Sequence, residues 1–328
     1  MAALVTAVGL AACGSGEESQ TASASTKLGF QLDFLYAGYQ APFFLAEDAG
    51  YWTKRGLDVT IREGNGSANG IKTLLGGLNQ IGMFDRPTMA ISAAKDPNLL
   101  AVMGIDNRGG WSIVTLSDRG VTQPSDLVGK KIATQLGGAD GTLLPAFFEA
   151  NGVNPDDVSI ESVAPEAKTT LLQGKKVDGA TYINYAQVPQ IRASGLDVNT
   201  LVWSEHGLPL IGTGLVTTKS WAEDNPEAMK AFVAGAVEAF EAAEKDPTVA
   251  IDAFIKHNPK FDRGVAEEQL KVVLEALHGP GTDGKPLGFQ TEDSWSGTLA
   301  TLERVKLLEA PKASGEYFTN RYLPGEDG

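Results

Sequence analysis

Segments with the periodicity of β-strands alternate with segments of helical periodicity along most of this 328-residue chain. Leu57, Val59 and Ile61 alternate with polar residues, which is typical of a strand with one buried face. The helix predicted to begin at Asn225–Pro226 carries apolar residues at spacings of three and four, which is typical of a helix with one buried stripe. This alternation predicts an α/β fold, and the length allows one large or two ordinary domains.

The alternating pattern occurs twice, so the sequence predicts two lobes, each a mixed sheet flanked by helices. Strands are predicted at Lys27–Leu32, Leu57–Arg62, Ile81–Phe84, Leu99–Ile105, Ser112–Leu116, Lys131–Gln135, Ser159–Val163, Gly179–Asn184 and Thr213–Thr218. We assign residues 27–111 and 214–328 to lobe I and residues 112–213 to lobe II. Two hinge crossovers are expected near residues 108–114 and 210–217.

The N-terminal residues indicate export and attachment to a membrane. Cys13 is the only cysteine of the chain, and Leu10–Gly14 resembles a bacterial lipobox, in which the cysteine is lipidated and becomes the new N-terminus. Residues 1–13 are therefore interpreted as part of a lipoprotein signal, because the apolar run is too short to span a bilayer and fits the h-region of a signal peptide. No Lys or Arg precedes that run, so we expect the signal to start upstream. Residues 14–26 have the composition of a flexible tether. The alternative is a buried cysteine in a helix of small residues.

Composition excludes several classes of function. The net charge of −14 argues against a nucleic-acid partner, which needs clustered Lys and Arg. A single cysteine allows no internal disulfide and no cysteine-based metal site. His206, His257 and His278 lack the spacing of metal ligands, so we predict neither a metal nor a cofactor. The sequence also shows no combination of nucleophile, base and orienting group, which indicates a protein that is not an enzyme.

Candidate ligand-binding residues follow the predicted strands, because open α/β sheets bind ligands at the carboxyl ends of their strands. The candidates in lobe I are Asp33, Phe34, Tyr36, Tyr39, Gln40, Ser67, Asp85 and Arg86. Gly138 and Thr142 belong to a glycine-rich loop of lobe II, which either cradles an anion or forms a tight turn with Thr142 capping a helix. Trp111 and Trp203 lie near the crossovers and either close an aromatic box or, for Trp203, belong to the core.

Asp85 and Arg86 leave the charge of the ligand open. A carboxylate accepts hydrogen bonds from an exocyclic amine or a ring N–H, whereas a guanidinium pairs with a carboxylate or sulfonate in a bidentate manner. Arg86 is equally interpreted as solvated or paired with an aspartate. Tyr36 and Tyr39 either stack on a flat ring or only cover a helix start. Ser67 either holds a polar ligand group or only caps its helix.

A series of short motifs resembles those of a family of ABC-importer solute-binding proteins. That family covers thiamine-pyrimidine precursors, riboflavin, nitrate, sulfonates and taurine. The matching segments are Pro42–Ala46, Gly50–Trp52, Gly56–Val59, Gly64–Ser67, Ile81–Asp85, Asp126–Ile132, Leu172–Lys175, Val177–Ala180 and Tyr317–Pro324. The resemblance covers almost everything after the tether. It implies the type II periplasmic-binding-protein fold, whose two lobes close on a ligand.

The resemblance also implies part of the site and the ligand class. Tyr182, Asn184 and Tyr185 occupy a stretch that faces the cleft in this family. Glu205–Pro209 resembles a segment of the pyrimidine-precursor branch, whereas Asp33–Ala37 departs from that branch. The implied ligand is a small aromatic nitrogen heterocycle, such as a thiamine pyrimidine precursor or a related vitamin. The alternative is a small anion such as a sulfonate, taurine, nitrate or an aromatic carboxylate.

The implied partners are the permease and ATPase subunits of an ABC importer. We expect a monomer held by lipid on the outer face of the bacterial cytoplasmic membrane. A sensor subunit or an adhesin is a different class that uses the same fold. An enzyme that makes the thiamine pyrimidine is another, but that branch uses a cysteine-rich segment, and this chain has one cysteine.

Overall fold

Two five-stranded sheets form the framework of the protein in a computed structural model that describes residues 25–136 and 139–326. The strands are β1 Thr26–Gln31, β2 Leu57–Arg62, β3 Ile81–Asp85, β4 Leu99–Gly104, β5 Trp111–Leu116, β6 Lys131–Thr134, β7 Ser159–Ser162, β8 Gly179–Ile183, β9 Val198–Val202 and β10 Thr213–Thr218. The first sheet has the order β2-β1-β3-β10-β4 and the second β7-β6-β8-β5-β9. Both are mixed, because β10 runs antiparallel to β3 and β4, and β5 runs antiparallel to β8 and β9.

Helices cover these sheets. In the described residues they are α1 Ala41–Asp48, α2 Ser67–Leu75, α3 Arg86–Ala93, α4 Ala139–Ala150, α5 Pro165–Gln173, α6 Asn184–Ala193, α7 Lys219–Asp224, α8 Pro226–Lys245, α9 Pro247–His257, α10 Arg263–Ala276 and α11 Glu292–Arg304. The Asp246 side chain accepts a hydrogen bond from Thr248 N and caps α9, whose first residue is Pro247. Pro247 lacks an N–H and so ends α8 while starting α9.

Aromatic residues anchor α8 against the first sheet. The Trp52 indole donates to Phe232 O at 3.0 Å and stacks on the Phe232 ring with the centroids 4.9 Å apart. Phe30 of β1 contacts both rings edge-on. Gly235 is required here, because a Cβ at this position would lie 2.4 Å from the Trp52 ring. This buried cluster holds β1 in place, and the candidate residues after β1 are positioned by it.

The predicted two-lobed α/β architecture is confirmed by the two mixed sheets and the helices that flank them. The chain passes from the first sheet to the second over residues 105–110 and returns over residues 203–212, a few residues earlier than the predicted crossovers. Helix α1 ends at Asp48, because Gly50 adopts a left-handed φ of 68°. The exact lobe boundaries stay a prediction, and residues 1–24 lie outside the described residues.

Candidate ligand-binding site

Three buried carboxylates lie at the carboxyl ends of strands in the first sheet. Asp33 follows β1, Asp85 ends β3 and Asp106 follows β4. Their exposed fractions are 5 %, 5 % and 1 %. Burial raises the pKa of each carboxyl, for Asp33 to about 6, because an apolar surrounding disfavours the charged form. The end of this sheet is therefore an acceptor-rich, water-poor site.

Asp33 is held by the 3₁₀ turn that precedes α1. The Tyr39 hydroxyl donates to the carboxylate, with 3.1 Å to each oxygen, and Gln40 Nε2 donates to Oδ1 at 2.8 Å. Burial, then the charge of Asp33, raises the pKa of Tyr39 well above its ordinary value, so Tyr39 stays a hydrogen-bond donor. The structure thus brings together three candidate residues from the sequence, Asp33, Tyr39 and Gln40.

Asp85 joins the two sheets. Its Oδ2 accepts from Thr88 N at 2.9 Å and from Thr88 Oγ1 at 2.6 Å, which caps α3. Ser67 Oγ accepts from Asp85 N at 2.9 Å. Burial raises the pKa of Asp85, and the nearby side chain of Trp111, at the start of β5 in the second sheet, partly offsets that rise. Asp85, Ser67 and Trp111 are therefore neighbours, as candidate site residues should be.

Arg86 is buried between the two crossovers and faces protein acceptors. Its Nε donates to Gly212 O at 2.9 Å, and its Nη2 donates to Asn107 Oδ1 at 3.0 Å and to Asp106 O. Its Nη1 donates to Gln290 Oε1 at 3.2 Å. Burial lowers the pKa of Arg86 to about 10. Arg86 is therefore buried and not solvated. Its guanidinium already donates to protein acceptors, which does not support a role in binding an anion.

Asp106 was missed by the sequence reasoning. Its Oδ1 accepts from Arg108 N at 3.0 Å and from Gly109 N at 2.7 Å. Its Oδ2 is buried and has no hydrogen-bond partner among the described residues. The signal that would have found it is its position, because Asp106 follows an apolar strand just as Asp33 does.

Tyr185 brings the second lobe to these carboxylates. Its ring packs edge-on against Tyr39 with the centroids 5.1 Å apart, and its hydroxyl lies 3.1 Å from Thr213 Oγ1. Burial raises its pKa well above the ordinary value, and the negative charges of the three aspartates raise it further. That electrostatic influence places all three carboxylates near one tyrosine hydroxyl.

Three other predicted aromatic residues lie outside this group. Tyr36 packs edge-on against Phe44, and Tyr182 belongs to a core cluster of the second sheet, where burial raises its pKa to about 12. Trp203 is buried between Trp111 and Phe147, with centroid distances of 6.0 and 5.6 Å. Trp203 thus packs between the Trp111 ring and the core residue Phe147.

The remaining candidates are more peripheral or are not described. Phe34 is half-buried and its carbonyl accepts from Gly64 N at 3.0 Å. Asn184, the first residue of α6, donates its backbone N–H to Gly110 O at 2.7 Å. Thr142 is half-buried on α4. Gly138 and the predicted lipidation residue Cys13 lie outside the described residues.

A buried ion pair in the second lobe was also missed by the sequence reasoning. Lys168 Nζ lies 2.7 Å from Asp140 Oδ2 and donates to Thr181 O at 2.9 Å. Asp140 Oδ2 also accepts from Thr181 Oγ1 at 2.6 Å. A lysine one turn into a helix carries no local signal of such pairing. The pair links α4 and α5 to β8, the central strand of the second sheet, which is followed by α6.

The group formed by Asp33, Tyr39, Asp85, Tyr185 and Trp111 is suited to a ligand that donates hydrogen bonds. Carboxylates accept N–H groups, and aromatic faces pack against flat rings. Among the described residues, no three His, Cys, Asp or Glu side chains are grouped to hold a metal ion. Within the same part of the chain, no helix has the length and apolar character needed to cross a membrane.

Residues 37–250 match the model of the NMT1/THI5 like family. The formylaminopyrimidine-binding protein of Halalkalibacterium halodurans is 23 % identical over 318 residues, which are 95 % of this chain and 94 % of that protein. The taurine-binding periplasmic protein of Escherichia coli is 28 % identical over 198 residues, 59 % of this chain and 60 % of that protein. The structure of the periplasmic aliphatic sulphonate binding protein of Escherichia coli has a TM-score of 0.71 at 15 % identity and covers 90 % of this chain and 98 % of its own. These matches confirm the resemblance inferred from the sequence motifs.

Proposed function

The chain belongs to the NMT1/THI5-like family, and we propose that it is the solute-binding component of an ABC importer, with an amino-substituted aromatic nitrogen heterocycle as its ligand. The relatives named above are binding proteins and not enzymes, so the proposed mechanism is binding alone. One observation carries the ligand class. Three buried carboxylates, those of Asp33, Asp85 and Asp106, end or follow strands of the first sheet, and their charges help to raise the pKa of Tyr185. The guanidinium beside them, Arg86, donates to protein acceptors.

This charge arrangement favours N–H donors over anions. An exocyclic amine or a protonated ring nitrogen supplies hydrogen bonds to Asp85 or Asp33, and it gains strength in a site without water. A sulfonate or nitrate would instead place a negative charge beside the same carboxylates, at a cost that the engaged Arg86 does not offset. The named ligand of one relative, a formylaminopyrimidine, has the required amine.

Ligand contact with both lobes would link binding to closure. Asp33 and Tyr39 belong to elements of the first sheet, whereas Trp111 and Tyr185 belong to elements of the second. A ligand that touches both groups binds the closed arrangement more tightly than an open one and so shifts the population towards closure. A permease that recognises the closed arrangement would then receive loaded protein.

The proposed setting follows from the same family. We place the chain outside the cytoplasmic membrane, attached through a lipidated Cys13, with the permease and ATPase subunits of an importer as its partners. The relatives from Escherichia coli are named as periplasmic. We also propose that the protein is a monomer.

A thermal-shift panel tests the ligand class. The panel contains an aminopyrimidine, riboflavin, taurine, an alkanesulfonate and nitrate, and a ligand of the native state raises the melting temperature. We expect the aminopyrimidine to raise it and the anions to leave it unchanged. An increase with the anions alone would refute the heterocycle.

Titration of two matched variants then tests the carboxylate. Asp85→Asn keeps an N-capping side chain but removes the charge, so we expect the affinity for the aminopyrimidine to fall at least about tenfold, or about 1.4 kcal/mol. Asp58→Asn is the control, because Asp58 lies exposed on β2 of the same sheet. Equal affinities for the two variants would contradict the role of Asp85.

A further inference from the structure

One oxygen of Asp106 is buried without a hydrogen-bond partner, although the other oxygen is fully used. Oδ1 accepts the backbone N–H groups of Arg108 and Gly109 at 3.0 and 2.7 Å. Oδ2 is buried and accepts no hydrogen bond of normal geometry from the described residues. Burial raises the pKa of this carboxyl, and the backbone N–H of Gly110, with those of Arg108 and Gly109, lies near enough to offset part of that rise. An unpaired buried acceptor normally destabilises a protein. Asparagine would serve the loop equally well, because its amide oxygen accepts the same two N–H groups.

Backbone without side chains surrounds this free oxygen. A Cβ on Gly212 would lie 1.9 Å from Oδ2, and a Cβ on Gly110 would lie 3.2 Å from it. The same Gly110 Cβ would lie 2.8 Å from Cε1 of Tyr185. The free oxygen and the Tyr185 ring are therefore both within about 3 Å of one point above Gly110. Oδ2 thus lies beside the tyrosine of the second lobe that contacts Tyr39.

Arg86 does not explain the free oxygen. Its Nη2 donates to the backbone carbonyl of Asp106 and to Asn107 Oδ1, and not to the Asp106 carboxylate. The position is also shared by the other two acidic residues of the site, because Asp33, Asp85 and Asp106 all end or follow strands of the first sheet. The Asp106 carboxylate is thus held in place through Oδ1, and Oδ2 remains an acceptor without a hydrogen bond in the part of the chain that the structure describes.

We propose that Asp106 is a ligand-binding residue, whose free Oδ2 accepts an N–H from the amino-substituted edge of the ligand and so selects amino-bearing rings. This inference rests on the proposed function and adds a specificity-determining residue to it. Because Asp106 lies in the crossover between the sheets, the ligand's amine would lie at the hinge side of the site. Tyr185 would then cover the ring.

The test is a double-mutant cycle between protein and ligand. The probes are an amino-hydroxymethyl-methylpyrimidine and the same ring without its exocyclic amine, titrated into wild type and Asp106→Asn by calorimetry. Asparagine keeps the acceptor for Arg108 N and Gly109 N but places an N–H₂ donor where Oδ2 stood. We expect the amino ring to lose at least about tenfold in affinity and the ring without amine to lose less than about threefold.

The outcomes separate the two proposals. Equal losses for both rings would assign Asp106 a structural role, and no loss for either ring would show that its oxygen is unused; both results overturn the inference. Wild-type protein that binds neither ring would refute the proposed function itself.

Gly110→Ala provides the second variant where Asp106→Asn does not fold. Gly110 does not adopt a positive φ, so alanine fits its backbone. The methyl group would lie 2.8 Å from Tyr185 Cε1 and 3.2 Å from Asp106 Oδ2, so it displaces the Tyr185 ring and blocks the approach to Oδ2 without changing any charge. We expect the preference for the amino ring to disappear. A preference equal to that of wild type would overturn the inference.

Discussion

Replacing Arg86 with alanine removes a side chain that bonds to both crossovers. Arg86 Nε donates to Gly212 O in the second crossover, and Nη2 donates to Asn107 Oδ1 in the first. Arg86 is fully buried. Its loss leaves buried acceptors without donors and leaves the neighbouring carboxylates of Asp85 and Asp106 without a nearby positive charge.

The magnitude follows from which acceptors keep a second donor. Gly212 O still accepts from the backbone N–H of residue 86 at 3.2 Å, and Gln290 Oε1 still accepts from Trp295 Nε1 at 3.1 Å. Asp106 O still accepts from Gly212 N at 2.8 Å. The cost therefore falls mainly on Asn107 Oδ1. Removing one partner of a buried charged network costs about 3–5 kcal/mol. We expect the lower end, about 3 kcal/mol, which is a fall in melting temperature of about 6–12 °C.

Scanning calorimetry or denaturant titration measures this loss in ligand-free protein. Arg192→Ala is the control, because Arg192 is exposed in the last turn of α6, and a surface change of that kind stays within about 0.5 kcal/mol. Arg86→Lys keeps the charge but not the planar fork, so we expect an intermediate stability. A loss below about 1 kcal/mol for Arg86→Ala would refute the reasoning that Arg86 holds the crossovers together.

Three further predictions concern other parts of the chain. Burial raises the pKa of Asp33 from 3.8 to about 6. Its contribution to the free energy of unfolding is therefore present below the unfolded pKa and is lost as pH rises through about 6. Calorimetry across that pH range should show a smaller decline in stability for Asp33→Asn than for wild type, and an equal decline would contradict the raised pKa. Gln269 is fully buried, accepts from Gly38 N at 2.7 Å and donates to Ala186 O, so it joins elements of the two lobes. Gln269→Leu should therefore enlarge the radius of gyration of ligand-free protein in small-angle scattering. An unchanged radius would show that Gln269 does not hold the lobes together. Cys13→Ser, expressed with a complete signal, should shift the protein from the membrane fraction to the soluble fraction or leave it unprocessed, and unchanged membrane association would refute lipidation.

The sequence identified two of the three carboxylates at the ends of strands in the first sheet, and their role in ligand binding stays a prediction. Asp33 and Asp85 were identified because the carboxyl ends of neighbouring strands meet at one edge of a sheet, and the structure puts both near Tyr185. Tyr182 was chosen because the family resemblance implies that its stretch faces the cleft, but it lies inside β8, which extends to Ile183. Its side chain packs into a core cluster of the second sheet instead. The strand end itself was predicted to within one residue, so the boundary alone did not determine where this side chain packs.

The partners of Arg86 and Asp106 were beyond the reach of sequence patterns. Arg86 bonds to Gly212 and Gln290, which are 126 and 204 residues away in the chain. Local periodicity carries no information on such distances, because it reports only the face that a residue takes within its own element. The adjacent pair Asp85 and Arg86 therefore looked like two equivalent candidates. Folding separates them, with Asp85 facing Trp111 of the second sheet and Arg86 facing the crossovers.

The location of the carboxylates beside the crossovers explains how one site can both bind and close. Arg86 ties Asn107 to Gly212, so a relative rotation of the lobes must occur in the neighbouring residues of the chain. Gly109 has a φ of 79°, and it lies between the fixed residue Asn107 and Trp111, which reaches Asp85. A rotation at this glycine would break its hydrogen bonds to Asp106 Oδ1 and Ser204 Oγ. It would also change the distance between Trp111 and Asp85. A ligand whose amine bonds to Asp85 while its ring contacts Trp111 would therefore bind the closed arrangement more tightly than the open one and shift the population towards closure.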